Sequence, residues 1–246
     1  MNRINLGATV IRLDNVDSTN SYLSRLLHDG KPDEGTVILA DFQSAGKGQA
    51  GSVWESKAGQ NLTLSFLLYP HFMKIGKQFN ISMCISNAIV QFLNRYKLKS
   101  MIKWPNDILV NDRKIAGILT ENTVLEQSVR SSIIGIGLNV NQKEFAPGFH
   151  ATSLSTETGY EMDLNALLTD LLNDLENWTR YLYEQEFVRI RIYYLNHLSG
   201  LNTWMYYKNN SGSFEGRIID ITEAGQLMVK TRDGDIRYYT VKEIWQ

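Results

Sequence analysis

The sequence predicts an α+β protein that ends in a small all-β module. Three observations predict it. Helical and extended patterns alternate along the chain up to about residue 199. From about Leu201 only short strand-like segments separated by turn signals remain. The 246 residues are 43% apolar, enough for a substantial core in one large unit plus a module. The expected organisation is therefore a domain over 1–199 and a module over 200–246, with no internal repeat and no low-complexity tract.

Taken in order, Val10 to Val16 reads as a strand. Asp17-Ser18-Thr19-Asn20 then offers several N-caps for a helix that carries Tyr22, Leu23, Leu26 and Leu27 on one face and ends near Gly30. Thr36 to Phe42 and Asn61 to Tyr69 read as strands on either side of a glycine-rich loop. Apolar residues at Ile75, Phe79, Met83, Ile89 and Phe92 recur at helical spacing and predict a helix from Ile75 to Tyr96. Ile102 to Asn122 is strand-rich with an Asn-Asp turn, and Ser131 to Val140 gives a further strand. Leu164 through Leu182 marks a long amphipathic helix, and Phe187 to His197 a second. In the module, strands are expected at Phe214–Ile221, Gln226–Thr231 and Ile236–Val241.

Composition excludes several classes. A formal net charge of −1 exerts no global pull toward nucleic acid or an acidic surface, and the module's basic residues are balanced by acidic ones. Cys84 is the single cysteine, so an internal disulfide and a cysteine-based zinc site are ruled out and a reducing cytoplasm is the expected compartment. Nothing resembles a signal peptide, and no run approaches the roughly 18 apolar residues of a membrane helix. His28, His71, His150 and His197 lack metal-ligand spacing. The leucine stripe and Tyr193-Tyr194 read as packing surface.

Three stretches carry chemistry. In QSAGKGQAGSVW, Gly46, Gly48 and Gly51 have the spacing of a dinucleotide fingerprint. A strand, not a helix, follows them, and no acidic residue stands about 20 positions on, so the Rossmann context fails. What remains is a glycine-rich loop with Lys47, suited to cradling an anion or to lying idle on the surface. In KWPNDILVNDRKIAGIL, a two-residue turn at Asn111-Asp112 or Asp112-Arg113 puts odd positions of one strand on the face of even positions of the next. Asp107 and Lys114 then point the same way, with Ala116 and Gly117 leaving room beside the lysine. An anion site and a solvated edge-strand lysine both fit. In IIGIGLNVN, Gly135, Gly137 and Asn139 share one face, approached closely by a ligand or by a helix.

In this order, Asp-Ser-Thr-Asn, Gln-x-x-Gly-Lys-Gly before a tryptophan, Lys-Trp-Pro-Asn-Asp with Lys-Ile-Ala-Gly-Ile-Leu, and Gly-Ile-Gly-Leu-Asn-Val-Asn resemble the biotin protein ligases, from about Leu13 to Asn141. The resemblance implies a mixed sheet flanked by helices, a class II synthetase-like catalytic domain, and a C-terminal SH3-like β-barrel. It implies an enzyme that uses biotin and Mg²⁺-ATP to form biotinyl-5′-AMP and then transfers biotin to one lysine of a biotin carboxyl carrier protein or carrier domain.

Carried over residue by residue, it implies catalytic roles for Lys114, Asp107 and Lys47. Ser18, Thr19 and Gln43 would hold the ureido ring of biotin and Asn20 would also bind biotin, with Gly46, Lys47, Lys114 and Gly117 along its chain and carboxylate. Gly46, Gly48, Gly51, Trp54, Lys103, Asn106, Asp107 and Asn139 would contact ATP, Trp54 covering the adenine. No metal ligand is implied with certainty, Mg²⁺ being held mainly through the phosphates. The family includes homodimers, so a homodimer is allowed.

Two departures matter. Biotin ligases often carry several arginines in the loop where this chain has Gln49, Ala50 and Ser52, which predicts weaker charge neutralisation and a leakier adenylate. The few residues before Val10 do not accommodate a helix-turn-helix domain, which predicts a monofunctional enzyme without DNA binding. The alternatives are a lipoate or octanoate attachment enzyme of the related family and a non-catalytic sensor of biotin or its adenylate.

Overall fold

The computed structural model describes residues 4–245. Seven strands form its main layer: β1 (Val10–Val16), β2 (Val37–Gln43), β3 (Leu62–Leu68), β4 (Ser100–Lys103), β5 (Asp107–Val110), β6 (Arg113–Leu125) and β7 (Ser128–Leu138). Their spatial order is β1-β2-β3-β7-β6-β5-β4. β1 and β2 run parallel and the other pairs antiparallel, so the sheet is mixed, as the resemblance implies.

The period of two in the strands assigns each face its helices. Leu64, Phe66 and Leu68 of β3 join Ile134, Ile136 and Leu138 of β7 in one core. Against it pack α2 (Phe79–Asn94), α4 (Leu164–Tyr183) and α5 (Phe187–Asn196). The alternate residues Leu67 and Ile133 pack with Ile38 beneath Leu23 of α1 (Thr19–Asp29) on the opposite face. β3 is buried on both faces although Thr63 and Ser65 interrupt its apolar residues, and both polar side chains are hydrogen-bonded. Full burial of Leu23 contributes roughly 1.5–3 kcal/mol, with smaller contributions from the partly buried Leu26 and Leu27, and holds α1 against the sheet.

Local chemistry sets several boundaries. Asn111 and Asp112 form the two-residue turn between β5 and β6, with φ of 50° and 59°, the left-handed pair that this hairpin type requires. α2 begins at Phe79, not Ile75: Ile75–Lys77 is a separate single turn whose entry is tied to the β6–β7 hairpin by Ile75 N–H donating to Gln127. A short helix, α3 (Leu154–Thr158), gives no periodicity to read but carries its own cap, Ser153 accepting from Thr156 N–H.

The remaining strands, β8 (Trp204–Asn209), β9 (Gly212–Ile221), β10 (Leu227–Thr231) and β11 (Ile236–Tyr239), form an antiparallel sheet in the order β11-β10-β9-β8. β8, which the sequence reading omits, pairs along its whole length with β9. Trp245 pairs back to Lys208, curling the sheet into the small barrel expected of an SH3-like module. Trp104 Nε1, in the turn between β4 and β5, donates to Gly225 O at 3.0 Å, and Arg191 of α5 pairs with Asp220, so the module docks onto that turn and onto α5. Among the described residues no helix is long and apolar enough to cross a membrane.

Candidate active site

The α1 face of the main sheet is open over β6 and β7, and there lies a cleft of ≈ 270 Å³. Its floor exists because the sheet carries glycine where neighbours come close. A Cβ at Gly135 would lie 2.3 Å from Asn20 Oδ1, and one at Gly137 would lie 2.1 Å from the Trp54 ring. Gly135 thus admits a helix residue, as one of the two readings has it, while Gly137 admits the loop tryptophan, which neither reading named.

One end of the cleft is a hydrogen-bonding network. Thr19 N–H and Oγ1 donate to Gln43 Oε1 at 2.7 and 3.0 Å, so Gln43 keeps its amide nitrogen as a donor. Ser65 Oγ, fully buried on β3, lies 2.7 Å from Thr19 Oγ1 and 2.5 Å from Asn20 Oδ1. Asn20 Nδ2 donates to Glu121 Oε2 at 2.6 Å. The predicted capping role of this segment is corrected: Ser18 stands at the N-cap but makes no side-chain cap bond. It is 2% exposed and lines the cleft with Thr19 and Asn20. Asp17 bonds both oxygens to Arg25, whose guanidinium holds that carboxyl well below the usual carboxylate range and steadies the helix entry.

The other end is cationic. Lys103 and Lys114 line it with Asn106 and one carboxylate, Asp107, which pairs with Lys114 at 2.7 Å, and Lys47 lines the cleft from the glycine loop. Lys114 lies on β6, inside the sheet, so the edge-strand reading does not hold. The register has one irregularity. Leu109 pairs with Lys114, but Ile108 pairs with Ala116 and Asp107 with Gly117, leaving Ile115 as an extra residue. That bulge brings Gly117 to the cleft and sends Ala116 into the core, which corrects the expectation that both sit beside the lysine. The Lys114 backbone is clamped as well: its N–H donates to His150 O and its carbonyl accepts from Thr152 N–H.

The glycine loop folds into a small hairpin. Trp54 N–H donates to Gly46 O and Gly48 N–H to Ser52 O, with a single turn at Gln49–Gly51. Gly46 and Gly48 serve this self-packing, since a Cβ on either would lie 2.3 Å from Trp54 O or Ser52 Oγ. The hairpin lays the Trp54 indole across Gly137 and Gly117, with Lys114 Nζ 5.4 Å from the ring. Trp54 Nε1 is buried without a protein partner, a donor available to whatever enters.

The structure therefore brings together Ser18, Thr19, Asn20, Gln43, Lys47, Gly48, Trp54, Lys103, Asn106, Asp107, Lys114 and Gly117 around one cleft. Gly46, Gly51 and Asn139 stand outside its lining. Asn139 is 3% exposed and donates Nδ2 to Thr152 O at 3.0 Å and Lys114 O at 3.4 Å, so it supports the lysine's strand from behind. Sequence reasoning missed Glu121, whose signal was its place two strand residues beyond Leu119, and Ser65, for which no motif gave a signal. It also missed Val241, which reaches the cleft from the module.

A hydrogen-bonding end and a cationic end, joined by an apolar floor in a mixed sheet, define a binder of small two-ended acids. The chain belongs to the Biotin/lipoate A/B protein ligase family, whose model matches residues 13–139. It is 33% identical over 240 residues to the bifunctional ligase/repressor BirA of Bacillus spizizenii, across 96% of this chain and 73% of that protein. It is 28% identical to the biotin--[acetyl-CoA-carboxylase] ligase of Paracoccus denitrificans, across 78% of this chain and 83% of that one. The structure of the Aquifex aeolicus biotin protein ligase in complex with biotin and ATP superposes with a TM-score of 0.80 at 26% identity, covering 97% of this chain and 98% of that one.

Proposed function

We propose that this chain is an ATP-dependent biotin ligase whose acceptor is a lysine of a biotin carboxyl carrier protein, and that both half-reactions take place in the cleft. The observation that carries the reading is the cleft's two ends. Thr19, Asn20 and Gln43 offer paired donors and acceptors to a ureido ring, and Lys114 with Lys47 and Lys103 offers charge to a carboxylate. The apolar end of lipoate or octanoate would leave those buried polar groups unpaired, at about 1–3 kcal/mol each.

In the first half-reaction a biotin carboxylate oxygen attacks the α-phosphorus of ATP, and the bond to pyrophosphate breaks. Lys114 draws the two anions together, moving from Asp107 toward the incoming charge. Asp107 is the one carboxylate among the described residues lining the cleft, which fits Mg²⁺ carried on ATP phosphates rather than caged by protein. Bound on the ATP phosphates beside Asp107, Mg²⁺ would supply neutralising charge to them. The Trp54 hairpin covers the mixed anhydride and limits its hydrolysis. In the second half-reaction a deprotonated acceptor lysine attacks the acyl carbon, an amide forms and AMP leaves.

Pyrophosphate exchange into ATP tests this, with biotin, lipoate and octanoate supplied separately. Exchange with biotin alone supports the reading; exchange with lipoate would make the substrate wrong; no exchange with any acid would return the protein to a sensor. Lys114→Ala separates ligase from sensor, because it removes exchange while the protein stays folded.

A further inference from the structure

We infer that Glu121 of β6 is a positioning residue that sets the hydrogen-bonding polarity of the ureido end by orienting Asn20. The inference rests on the biotin reading above and assigns a role to a residue outside every motif of the sequence. An asparagine amide is nearly symmetric in shape, so the direction in which it presents its oxygen and nitrogen is decided by its partners. Asn20 is 2% exposed and seated over Gly135, where a side chain would strike its Oδ1. Its Nδ2 donates to Glu121 Oε2 at 2.6 Å. An ionised carboxylate only accepts, so Glu121 admits the amide nitrogen and rejects the amide oxygen. Asn20 Oδ1 is thereby forced toward Ser65.

There the donors run short. Ser65 carries one hydroxyl hydrogen and faces two acceptors, Asn20 Oδ1 at 2.5 Å and Thr19 Oγ1 at 2.7 Å. The Thr19 hydrogen is already committed to Gln43 Oε1. One acceptor in this corner is left in excess, and a ligand N–H satisfies it. Gln43, whose Oε1 takes two donors, keeps its amide N–H groups for a carbonyl. The corner thus accepts an N–H and donates to a C=O, the pattern of a cyclic urea edge. Without Glu121 the Asn20 amide can turn over, present Nδ2 to Ser65 and remove the excess acceptor.

The test is adenylation kinetics of the full chain with biotin and ATP varied in turn, using Glu121→Ala and Glu121→Gln. Biotin methylated on a ureido nitrogen serves as a second substrate. Glu121 is exposed, so both variants should fold, and melting temperatures check this. Glu121→Ala should raise KM for biotin about fivefold, leave KM for ATP unchanged, and reduce discrimination against the methylated analogue by a similar factor. Glu121→Gln, which keeps an acceptor but no longer dictates direction, should fall between the two. A biotin KM within about twofold of the parent would overturn the inference, as would a joint rise of both KM values with unchanged discrimination. A parent without biotin-dependent exchange would refute the functional reading itself, a result distinct from an active parent indifferent to Glu121.

Discussion

Gly137→Ala should open the lid without unfolding the protein. A Cβ there would lie 2.1, 2.4 and 2.6 Å from three atoms of the Trp54 indole. Normal contact begins near 3.5 Å, so the ring must retreat by more than about 1 Å. The strand cannot yield, because Gly137 is paired to Thr63 on one side and Gly117 on the other. Trp54 sits on a loop and gives way instead. It forfeits its seat on both glycines and the Lys114 contact, which at an accessible site contributes about 0.5–1 kcal/mol. Overpacking of this kind costs about 1–3 kcal/mol, and we assign about 1–2 kcal/mol of it to lid closure, a factor of roughly 5–30. Labelled biotinyl-AMP formed on the enzyme and chased with unlabelled ligand should therefore escape roughly 5–30 times faster, while the melting temperature moves by about 2–4 °C or less. Trp54→Phe in the same background should restore part of the retention. A large fall in melting temperature with normal retention would refute the reasoning, since it would place the clash in the fold rather than the lid.

Gln49→Arg at the hairpin tip should lengthen adenylate retention, because it adds a cation to a loop whose basic residue is Lys47; retention equal to the parent would clear the arginine-poor loop as a cause of leakage. Arg95→Ala should cost about 1–3 kcal/mol in denaturant unfolding, since Asp174 is fully buried and would keep only Gln91 as a bonded partner. The half-exposed arginine sets the lower end of that range, and an unchanged midpoint would show that water replaces it. Burial on α2 pushes the Cys84 thiol far up, so the native protein should resist iodoacetamide at pH 8 and label only when unfolded. The sign for stability follows: the unfolded thiol ionises above about pH 8.5 while the buried one stays neutral, so stability should decline as pH rises through that range. Native labelling at the rate of a free thiol would contradict this.

How much was legible depended on the range of the interaction. Elements written by local periodicity, such as α1, α4, α5 and the strands β1 to β3, lie within a residue or two of expectation. The β5–β6 turn was legible because Asn and Asp tolerate the left-handed conformation that it needs. The bulge at Ile115 was not, because one extra residue in a strand leaves no trace in composition, yet it decides that Gly117 and not Ala116 meets the cleft. Nor was the seat of Trp54, since nothing in the loop says that its indole fits against glycines on two distant strands.

Motif membership identifies residues that matter more readily than it identifies what they touch. Asn20 and Asn139 both read as ligand contacts. Asn20 does line the cleft, but its direction is dictated by Glu121, a residue of no motif. Asn139 spends its amide on Thr152 O and Lys114 O, so its influence on a ligand passes through the lysine's backbone. The same backbone is braced from the hairpin side: Glu157 accepts from Arg113, Asn111 and Thr152, joining the residue before Lys114 to the segment paired beside it. In the function proposed here, Lys114 is only as well placed as the hairpin that carries it. Loss of Asn139 or Glu157 should therefore degrade turnover through the position of Lys114 while leaving the lining of the ureido end intact.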